Sequence, residues 1–588
     1  MHKAWRNRIF DLFLILIITV PSYWVLLNNK YFSMHDDQHI ARLYLLIEGI
    51  KQGQFYPRWV DMLGFGYGYP LFNFYPPLIY YVAAGFHFIG FSLIWSIKLM
   101  IISGFVMAAF GMFYLIKQLM GRWSAFLGSA VYTYFLYHSV TVYVRGALAE
   151  FFTMAVLPFV FLGLIYVYKK PKLISSLFFA FFFAALILTH PLIAFPSIIF
   201  ISMISLFLLV TSKEKRKFFF FLCLGGLFAL GLSSFFWLPS MTERKYTMTD
   251  EILTKELANY KDYFIYPQQL WYSSWGYGGS IKGLGDGMTF QLGKIPILLV
   301  CTSVILALIF FFRRKKQNLS LFPYLFTVFL LLFSLYMTTG YSSFLWGSIG
   351  YLSYMQFPWR FLTFVNVFIS IVSAFFIFFV SVLLRETRGI LEKYWRPVIV
   401  CLAIVGIGGM VFRYAPYFKP QYLINTNDRE RTRFREIAWR ISSTSYEFVP
   451  KGVAIKKTQQ GTTTLAIEEN QLPVSSYQIV SGQGSVRIEK NTFSEKSFIV
   501  LARTPLVFRL NTYNFPGWIA LVDGKQTSIS DENRLKLITI PMESGKHQVM
   551  FTFKNTQVRN IASFISVCFL IAFLVCGLGV FYFRSSKR

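Results

Sequence analysis

The N-terminal segment from His2 to Leu27 reads HKAWRNRIFDLFLILIITVPSYWVLL, and the motif SMHDDQH follows at residues 33–39. Basic residues precede about twenty mostly apolar ones, which is the outline of a signal sequence. The apolar run is longer than the core of an ordinary signal peptide, and no small-residue cleavage site follows it. The sequence therefore predicts an uncleaved first transmembrane helix, with the acidic motif emerging directly after it.

The composition extends this membrane character to the rest of the chain. Of the 588 residues, 55% are hydrophobic and 14% are charged, whereas about 25% are charged in soluble globular proteins. Apolar runs of about 17 to 25 residues recur with the charges between them, as in proteins that cross a bilayer many times. A disordered chain, a disulfide scaffold and a nucleic-acid-binding module are excluded as the main class, and the five scattered cysteines form no zinc or redox motif.

The formal net charge of +30 is explained by membrane topology, without a polyanionic partner. The basic clusters at residues 169–172, 213–217 and 313–316 all fall on the cytoplasmic side, as the positive-inside rule requires, if the apolar segment 74–90 lies flat on the outer surface. Twelve predicted spans follow: about 9–27, 93–116, 124–139, 151–168, 173–189, 192–211, 218–238, 295–312, 320–337, 361–384, 397–412 and 559–583. Both termini are then cytoplasmic.

Three regions follow from this topology. They are a transmembrane module at 1–412 with outer loops at 28–92 and 240–294, an outer domain at 413–558, and a last helix with a basic cytoplasmic tail at 559–588. Stretches such as 462–467, 485–488, 498–502 and 547–553 are typical of strands, and Asp523-Gly524 is a hairpin signal. We expect an extracytoplasmic β-sandwich. It contains no clustered catalytic set, so we expect it to orient an acceptor.

Asp36 and Asp37 are the main candidates for catalysis. They precede apolar residues at helical spacing between positions 40 and 50, which predicts an amphipathic helix in the outer interface. One aspartate could cap that helix. A second carboxylate would be free to take a proton from an acceptor hydroxyl, or to hold a divalent cation such as Mg or Mn. His35 and His39 could add metal ligands, although the glutamate of the HExxH zinc motif is missing.

Other charged and aromatic side chains on the same predicted side are candidates for donor binding. Arg58 beside Trp59 combines a bidentate phosphate ligand with a stacking surface for a sugar, although an interfacial aromatic belt with a snorkelling arginine has the same pattern. The loop 240–294 could be a lid over the sugar or an ordered structural loop. The further candidates lie in that loop or near predicted span ends, and they are Arg145, Glu150, His190, Arg360 and Trp275.

The order of these motifs resembles bacterial membrane proteins labelled "6-pyruvoyl-tetrahydropterin synthase-related", although the composition is unlike that of a pterin enzyme. The architecture is similar to the GT-C superfamily of glycosyltransferases, whose first outer loop carries an acidic motif and two interfacial helices. Phe515-Pro-Gly-Trp518 before Asp523-Gly524 looks like the outer domain of YfhO-like membrane proteins. The motifs that carry the main resemblance are His-Asp-Asp at 35–37, Pro-Arg-Trp at 57–59, Phe-Tyr-Pro-Pro at 74–77, the Arg-to-Glu segment 145–150, His-Pro at 190–191 and Gln-Phe-Pro-Trp-Arg at 356–360.

The resemblance implies transfer of a sugar from a polyprenyl-phosphate donor to a glycan, lipid or protein acceptor of the cell envelope, usually with inversion. Asp36 or Asp37 would then activate the acceptor or bind a metal, since metal dependence varies within the superfamily. Two other classes remain open. A lipid-linked-sugar transporter or flippase would place charged sites near the membrane midplane, and a non-catalytic envelope-polymer assembly factor would use the acidic loop only as a helix cap.

Overall fold

The computed structural model describes residues 2–252, 259–313, 321–386, 390–457 and 463–585. Residues 314–316 of the predicted basic cluster, Thr462 and the end of the tail from residue 586 lie outside these ranges. The helices are α1 (His2–Tyr23), α2 (His39–Lys51), α3 (Leu71–Phe74), α4 (Leu78–Phe88), α5 (Leu93–Met120), α6 (Arg122–Thr133), α7 (Leu136–Ser139), α8 (Leu148–Lys169), α9 (Leu173–Thr189), α10 (Pro191–Thr211), α11 (Lys215–Glu243), α12 (Thr249–Glu251), α13 (Pro267–Trp271), α14 (Lys294–Arg313), α15 (Phe322–Thr338), α16 (Ser343–Ser348), α17 (Leu362–Glu386), α18 (Ile390–Tyr414), α19 (Asp428–Arg431) and α20 (Gln557–Ser585).

Nine helices within the described ranges are long and apolar enough to cross a membrane. Their candidate spans are Arg8–Leu27, Leu93–Met120, Leu148–Lys169, Pro191–Thr211, Lys215–Tyr246, Lys294–Phe312, Pro358–Arg385, Tyr394–Tyr417 and Gln557–Val580. The predicted spans at 173–189 and 320–337 correspond to α9 and α15, which have 17 residues each and are about 25 Å long. The prediction of a polytopic helical membrane protein is confirmed.

The predicted span at 124–139 is wrong as a continuous helix. Two residues separate α6 from α7, and one of them, Phe135, has an extended backbone with ψ of 127°. Side chains satisfy a carbonyl that the break frees, since His138 Nδ1 donates to the Tyr132 carbonyl at 2.8 Å and Asn366 Nδ2 donates to it at 3.2 Å. Hydropathy misses this break because aromatic residues surround it.

The apolar segment that was predicted to lie on the membrane surface is too short to cross a bilayer. It forms α4, whose 11 residues extend about 16 Å, roughly half of the ~30 Å hydrocarbon thickness. The 13-residue helix α2 packs against α4 and α5. The two short helices are the interfacial pair expected from the sequence.

The strands near the C-terminus form two packed antiparallel sheets. The strands of the chain are β1 (Tyr31–Phe32), β2 (Leu423–Ile424), β3 (Ile455–Lys457), β4 (Thr463–Leu465), β5 (Tyr477–Ser481), β6 (Gly484–Asn491), β7 (Glu495–Ala502), β8 (Leu506–Tyr513), β9 (Trp518–Val522), β10 (Lys525–Thr527), β11 (Leu537–Met542) and β12 (Gly545–Phe553). One sheet has the order β10-β9-β12-β7-β6 and the other has the order β11-β8-β5. Phe508 of the second sheet contacts Phe498 and Phe551 of the first, with ring centroids 5.2 and 6.0 Å apart. The predicted sandwich is therefore present.

The predicted hairpin at Asp523-Gly524 joins β9 to β10. Both residues have positive φ, 52° and 77°, which is the type I′ geometry that matches the twist of paired strands. The pairing of Val522 with Lys525 leaves these two residues as the loop. Glycine adopts this backbone conformation without strain.

A buried network docks the sandwich and α20 on the helical body. Arg559 Nε donates to Glu243 Oε2 at 2.9 Å, and Asn73 Nδ2 donates to the same oxygen at 2.8 Å. Arg58 Nη1 donates to Asn73 Oδ1 at 3.0 Å. All four side chains are buried, so the three charged groups among them depend on these partners. The network joins the first loop, α11 and α20 at one point.

Candidate functional site

A cavity of about 430 Å³ lies at one end of the helical bundle. Its walls come from the loop after α1, the starts of α8 and α10, the end of α11, the segment before α17, and the chain between β2 and β3. Five predicted site residues that are distant in sequence line it together, and they are Asp36, Arg145, Glu150, His190 and Arg360. This end of the bundle is the main candidate site.

Glu150 lies between the two arginines of this cavity. Its Oε2 is 2.9 Å from Arg145 Nη1 and 3.2 Å from Arg360 Nε, and Tyr137 donates its hydroxyl hydrogen to Oε1. The Glu150 side chain is 1% exposed and the two arginine side chains are 9% and 10% exposed. Glu150 thus neutralises one of the two guanidiniums, and among the described residues no second carboxylate forms an ion pair with the other.

Backbone and aromatic contacts fix the orientation of both guanidiniums. The Arg145 guanidinium lies 4.3 Å from the centre of the Trp359 ring, and Arg360 Nη1 donates to the Met355 carbonyl at 2.6 Å. Gln356 accepts from the same Nη1 at 3.2 Å and has a φ of 64°, which is a strained conformation for a residue with a side chain. The arginines are therefore preorganised before any ligand binds.

His190 adds a neutral polar group to the wall. Burial, together with the positive charges of Arg360 and Arg145, lowers the pKa of His190 to about 3, so the imidazole is uncharged at neutral pH. Its Nδ1 is buried and has no hydrogen-bond partner in the part of the chain that the structure describes. A buried polar atom without a partner costs free energy, and a bound ligand could supply that partner.

The two aspartates of the acidic motif have different surroundings. The Asp36 carboxylate lines the cavity and makes no hydrogen bond or ion pair to a described residue, while its backbone N–H donates to the Arg145 carbonyl at 2.8 Å. Asp37 Oδ2 is 2.6 Å from Arg431 Nη1 and 3.2 Å from Arg440 Nη2. Neither aspartate caps α2, whose N-cap residue is Gln38 and makes no side-chain capping hydrogen bond. Of the two aspartates, Asp36 is the one that offers an unpaired carboxylate to the cavity.

The histidines of the motif do not join the aspartates in a metal site. His39 is buried, with Nδ1 3.1 Å from Tyr80 Oη and Nε2 2.6 Å from the Gly146 carbonyl, and burial lowers the pKa of His39 to about 3. His35 Nε2 lies 2.8 Å from the Tyr277 carbonyl. Among the described residues, no three His, Cys, Asp or Glu side chains are grouped to hold a metal. The predicted ligand set is corrected, because His35, His39 and Asp37 have separate partners and Asp36 faces the cavity without them.

Arg58 and Trp59 lie outside the cavity, contrary to the sequence prediction. Arg58 belongs to the docking network, where Nη2 also donates to the Phe235 carbonyl at 2.8 Å. Trp59 is fully buried and packs edge-on against Trp518 and beside Phe553, with ring centroids 5.6 and 5.4 Å apart. This part of the first loop supports the sandwich, so neither side chain reaches a ligand in the cavity.

Trp275 lies in a different place from the other candidates. It lines a second cavity of about 250 Å³, and its ring centroid is 5.0 Å from that of Tyr417. Among the described residues of the loop 240–294, those that line the main cavity are Ser240, Met241, Arg244 and Thr249. The placement of Trp275 in the donor site is therefore corrected, because the second half of the loop packs away from the main cavity.

Three charged residues of the cavity wall escaped the sequence analysis, namely Arg42, Arg244 and Glu447. The Arg42 guanidinium lies 3.8 Å from the Tyr75 ring centre and donates through Nη2 to Ser445 at 2.9 Å. Burial raises the pKa of Glu447. The helical spacing between positions 40 and 50 could have pointed to Arg42, whereas Glu447 lies in an irregular segment without a periodic pattern.

Comparisons with known proteins support the classification of this chain as a membrane protein. Residues 72–421, more than half of the chain, match the family model described as "6-pyruvoyl-tetrahydropterin synthase related domain; membrane protein". An uncharacterised protein of Lactococcus lactis subsp. cremoris (strain MG1363) is 26% identical over 247 residues, which are 40% of this chain and 39% of that protein. The crystal structure of the Archaeoglobus fulgidus oligosaccharyltransferase in the apo form is 11% identical, with a TM-score of 0.41 over 72% of this chain and 57% of that one. The chain thus spans less than two thirds of either relative.

Proposed function

The chain belongs to the 6-pyruvoyl-tetrahydropterin synthase related family of membrane proteins, and we propose that it is a membrane glycosyltransferase. Its donor is a sugar linked to a polyprenyl phosphate, and its acceptor is a hydroxyl group of an envelope glycan, lipid or protein. The observation that carries the proposal is the cavity in which the unpaired Asp36 carboxylate faces Arg145 and Arg360. These are the groups that a proton transfer and a departing phosphate require.

The apolar part of the cavity wall supports a lipid-linked donor. Leu192 and Phe195 at the start of α10, Met241 near the end of α11, and Tyr351 before α17 line the cavity beside the charged groups. Because the start of α10 and the end of α11 are ends of candidate spans, this wall lies at the depth where a lipid chain meets its phosphate. A polyprenyl chain would contact the apolar side chains while its phosphate reaches the arginines.

In the proposed reaction Asp36 acts as the general base. The acceptor oxygen attacks the anomeric carbon and its proton passes to the Asp36 carboxylate. The bond between the anomeric carbon and the phosphate oxygen breaks, and both of its electrons leave with the phosphate. Arg145 and Arg360 stabilise the charge that develops there. Attack on the face opposite the phosphate inverts the anomeric configuration.

Glu150 and His190 support this reaction without taking part in it. Glu150 keeps the two guanidiniums at fixed distances, so they need no reorganisation when the phosphate leaves. His190, being neutral, donates or accepts a hydrogen bond at the sugar or the phosphate. A divalent cation would find the Asp36 carboxylate beside the charges of Arg145 and Arg360, and the Glu447 carboxylate beside the charge of Arg42. This set suits an anionic ligand better than a cation, and no step of the proposal uses a metal.

The distribution of basic residues supports an active site on the outer face. Lys117 and Arg122 pair with Asp11. They lie in the last turn of α5 and at the start of α6, at the opposite end of α5 from the cavity. The clusters at 169–172 and 213–217 likewise follow the ends of α8 and α10 whose starts line the cavity. By the positive-inside rule that opposite end is cytoplasmic. The cavity and the β-sandwich are then extracytoplasmic.

Purified protein in nanodiscs, incubated with polyprenyl-phosphate-linked sugars and an envelope glycan fraction, tests the proposal. We expect release of free polyprenyl phosphate, measured by mass spectrometry, that depends on the acceptor fraction and falls at least 100-fold in Asp36→Asn. Movement of intact donor across vesicle membranes without release would identify a transporter. If no polyprenyl-linked sugar either releases polyprenyl phosphate or moves across the membrane, the assembly-factor alternative is the one that is left.

A further inference from the structure

The second cavity, which is lined by Trp275, has a charge that the glycosyl-transfer proposal does not use. Lys294 and Arg413 both face this space of about 250 Å³. Lys294 Nζ donates to the Trp271 carbonyl at 3.0 Å and Arg413 Nη1 donates to the Tyr417 hydroxyl at 3.0 Å. These partners are neutral, so they orient the two cations without cancelling their charge.

In the part of the chain that the structure describes, these cations have no counter-charge in the cavity wall. None of the described residues that line the cavity is acidic, and neither cation forms an ion pair with a described carboxylate. Two other basic residues predicted to be on the same side contrast with them, because Arg431 pairs with Asp37 and Arg559 pairs with Glu243. The second cavity therefore concentrates two uncompensated positive charges.

The position of the cavity relative to the candidate spans indicates which kind of anion could bind to Lys294 and Arg413. Lys294 is the first residue of the candidate span in α14, and Arg413 lies four residues before the end of the candidate span in α18. The two helices touch there, because the Ile295 N–H donates to the Tyr414 hydroxyl at 3.1 Å. Both cations thus lie at headgroup depth.

The aromatic surroundings are also typical of a membrane interface. Trp271 and Tyr272 are 56% and 65% exposed, and Lys294 Nζ lies 3.2 Å from the centre of the Trp271 ring. Tryptophan and tyrosine are enriched where a protein meets lipid headgroups. Ser274 and Gln291 in the same wall provide hydrogen-bonding groups for phosphate oxygens.

From these observations we propose that the cavity between the outer ends of α14 and α18 binds the phosphate of an anionic membrane lipid. Lys294 and Arg413 contact the phosphate, and the aromatic rim contacts the glycerol and the upper acyl chains. The site prefers phosphatidylglycerol to phosphatidylcholine, because only the former leaves a net negative charge for the two cations. The inference is independent of the proposed transferase activity.

The test compares lipid retention by the full-length protein and by Lys294→Gln/Arg413→Gln. Nanodiscs contain equal amounts of phosphatidylglycerol and phosphatidylcholine, and native mass spectrometry counts the lipids that stay bound. Since each basic residue near an anionic surface contributes about five-fold in affinity, we expect the double variant to bind one phosphatidylglycerol roughly thirty-fold more weakly. The matched control Lys282→Gln/Arg435→Gln removes two exposed, ion-paired cations and should retain lipid as the wild type does.

A further variant separates lipid binding from general charge effects. Ser274→Phe fills the cavity but leaves both cations, and we expect it to lose the same lipid. Equal retention in Lys294→Gln/Arg413→Gln and its control would overturn the proposal, as would equal retention of phosphatidylcholine by the wild type. Displacement of the lipid by inorganic phosphate would reassign the cavity to free anions and would overturn the lipid assignment.

Discussion

Replacing Asp36 by asparagine removes one negative charge from the main cavity and keeps the shape of the side chain. Because the Asp36 carboxylate makes no hydrogen bond or ion pair to a described residue, the free energy of unfolding should change by less than about 0.5 kcal/mol. Loss of a general base should lower the rate of sugar transfer by about 100-fold to 10,000-fold. Asp36→Asn is therefore expected to be a stable, inactive protein.

The neighbouring substitution Asp37→Asn should have the opposite effect. It removes the carboxylate that lies 2.6 Å from Arg431 and 3.2 Å from Arg440. Breaking a buried ion pair costs about 3 to 5 kcal/mol, but Glu436 remains 3.6 Å from Arg431 and 2.5 Å from Arg440, and Arg440 is 45% exposed. We expect a loss of about 1 to 2 kcal/mol in the free energy of unfolding and a transfer rate within a few-fold of wild type.

Both variants can be purified and measured in the same detergent. Thermal unfolding reports the stability difference, and release of polyprenyl phosphate reports transfer at a temperature where both proteins are folded. Undiminished transfer by Asp36→Asn would rule out its assignment as the base. A large loss of stability in Asp36→Asn would instead mean that its carboxylate has a structural role that the contacts do not reveal.

Three further outcomes follow from the structure. Glu150→Gln leaves two buried guanidiniums without their shared carboxylate and should lower the free energy of unfolding by about 3 kcal/mol. The control Glu251→Gln, at a half-exposed side chain, should cost less than about 0.5 kcal/mol, and similar melting temperatures of the two variants would contradict the shared ion pair. Because burial lowers the pKa of His39 to about 3, its contribution to the free energy of unfolding is complete above pH ~6.5, and about 2 kcal/mol of it is lost by pH ~5. His39→Gln should therefore reduce the decline in stability that thermal unfolding measures between these pH values. Trp59→Ala should lower the free energy of unfolding by about 3 to 5 kcal/mol; unchanged stability with weaker donor binding would return this residue to the site.

The fold was largely predictable because bilayer solvation leaves a strong signal in the sequence. A span needs about twenty apolar residues wherever it occurs, and the basic clusters fix the direction of each crossing. The break between α6 and α7 left no such signal, since the freed Tyr132 carbonyl is satisfied by His138 nearby and also by Asn366 from a distant part of the chain. Local composition cannot report a contact made over more than 200 residues.

The site was predictable to the extent that topology alone brings residues together. Arg145, His190 and Arg360 lie at ends of spans that face the same side, so alternation of crossings is enough to group them. Arg58 and Trp59 are predicted to lie on the same side of the membrane, but packing between the first loop and the sandwich keeps them out of the cavity. That packing depends on the shapes of the side chains, for example on Trp59 meeting Trp518 edge-on. An aromatic belt at the membrane interface would have the same sequence pattern, so the sequence alone does not distinguish the two.

The chain between α18 and the sandwich also changes how the outer block should be divided. Strand β2 pairs with β1 in the first loop, Asp428 accepts the Leu93 N–H at the start of α5 at 2.7 Å, and Glu447 lines the main cavity. This segment therefore belongs to the cavity, whereas the sandwich from β5 to β12 meets the helical body through Trp59 and the docking network. Removing residues 421–554 together would open the cavity and detach the sandwich at once. A role of the sandwich in orienting an acceptor can be examined only by a change confined to β5–β12, because only such a change leaves the Asp37 ion pairs in place.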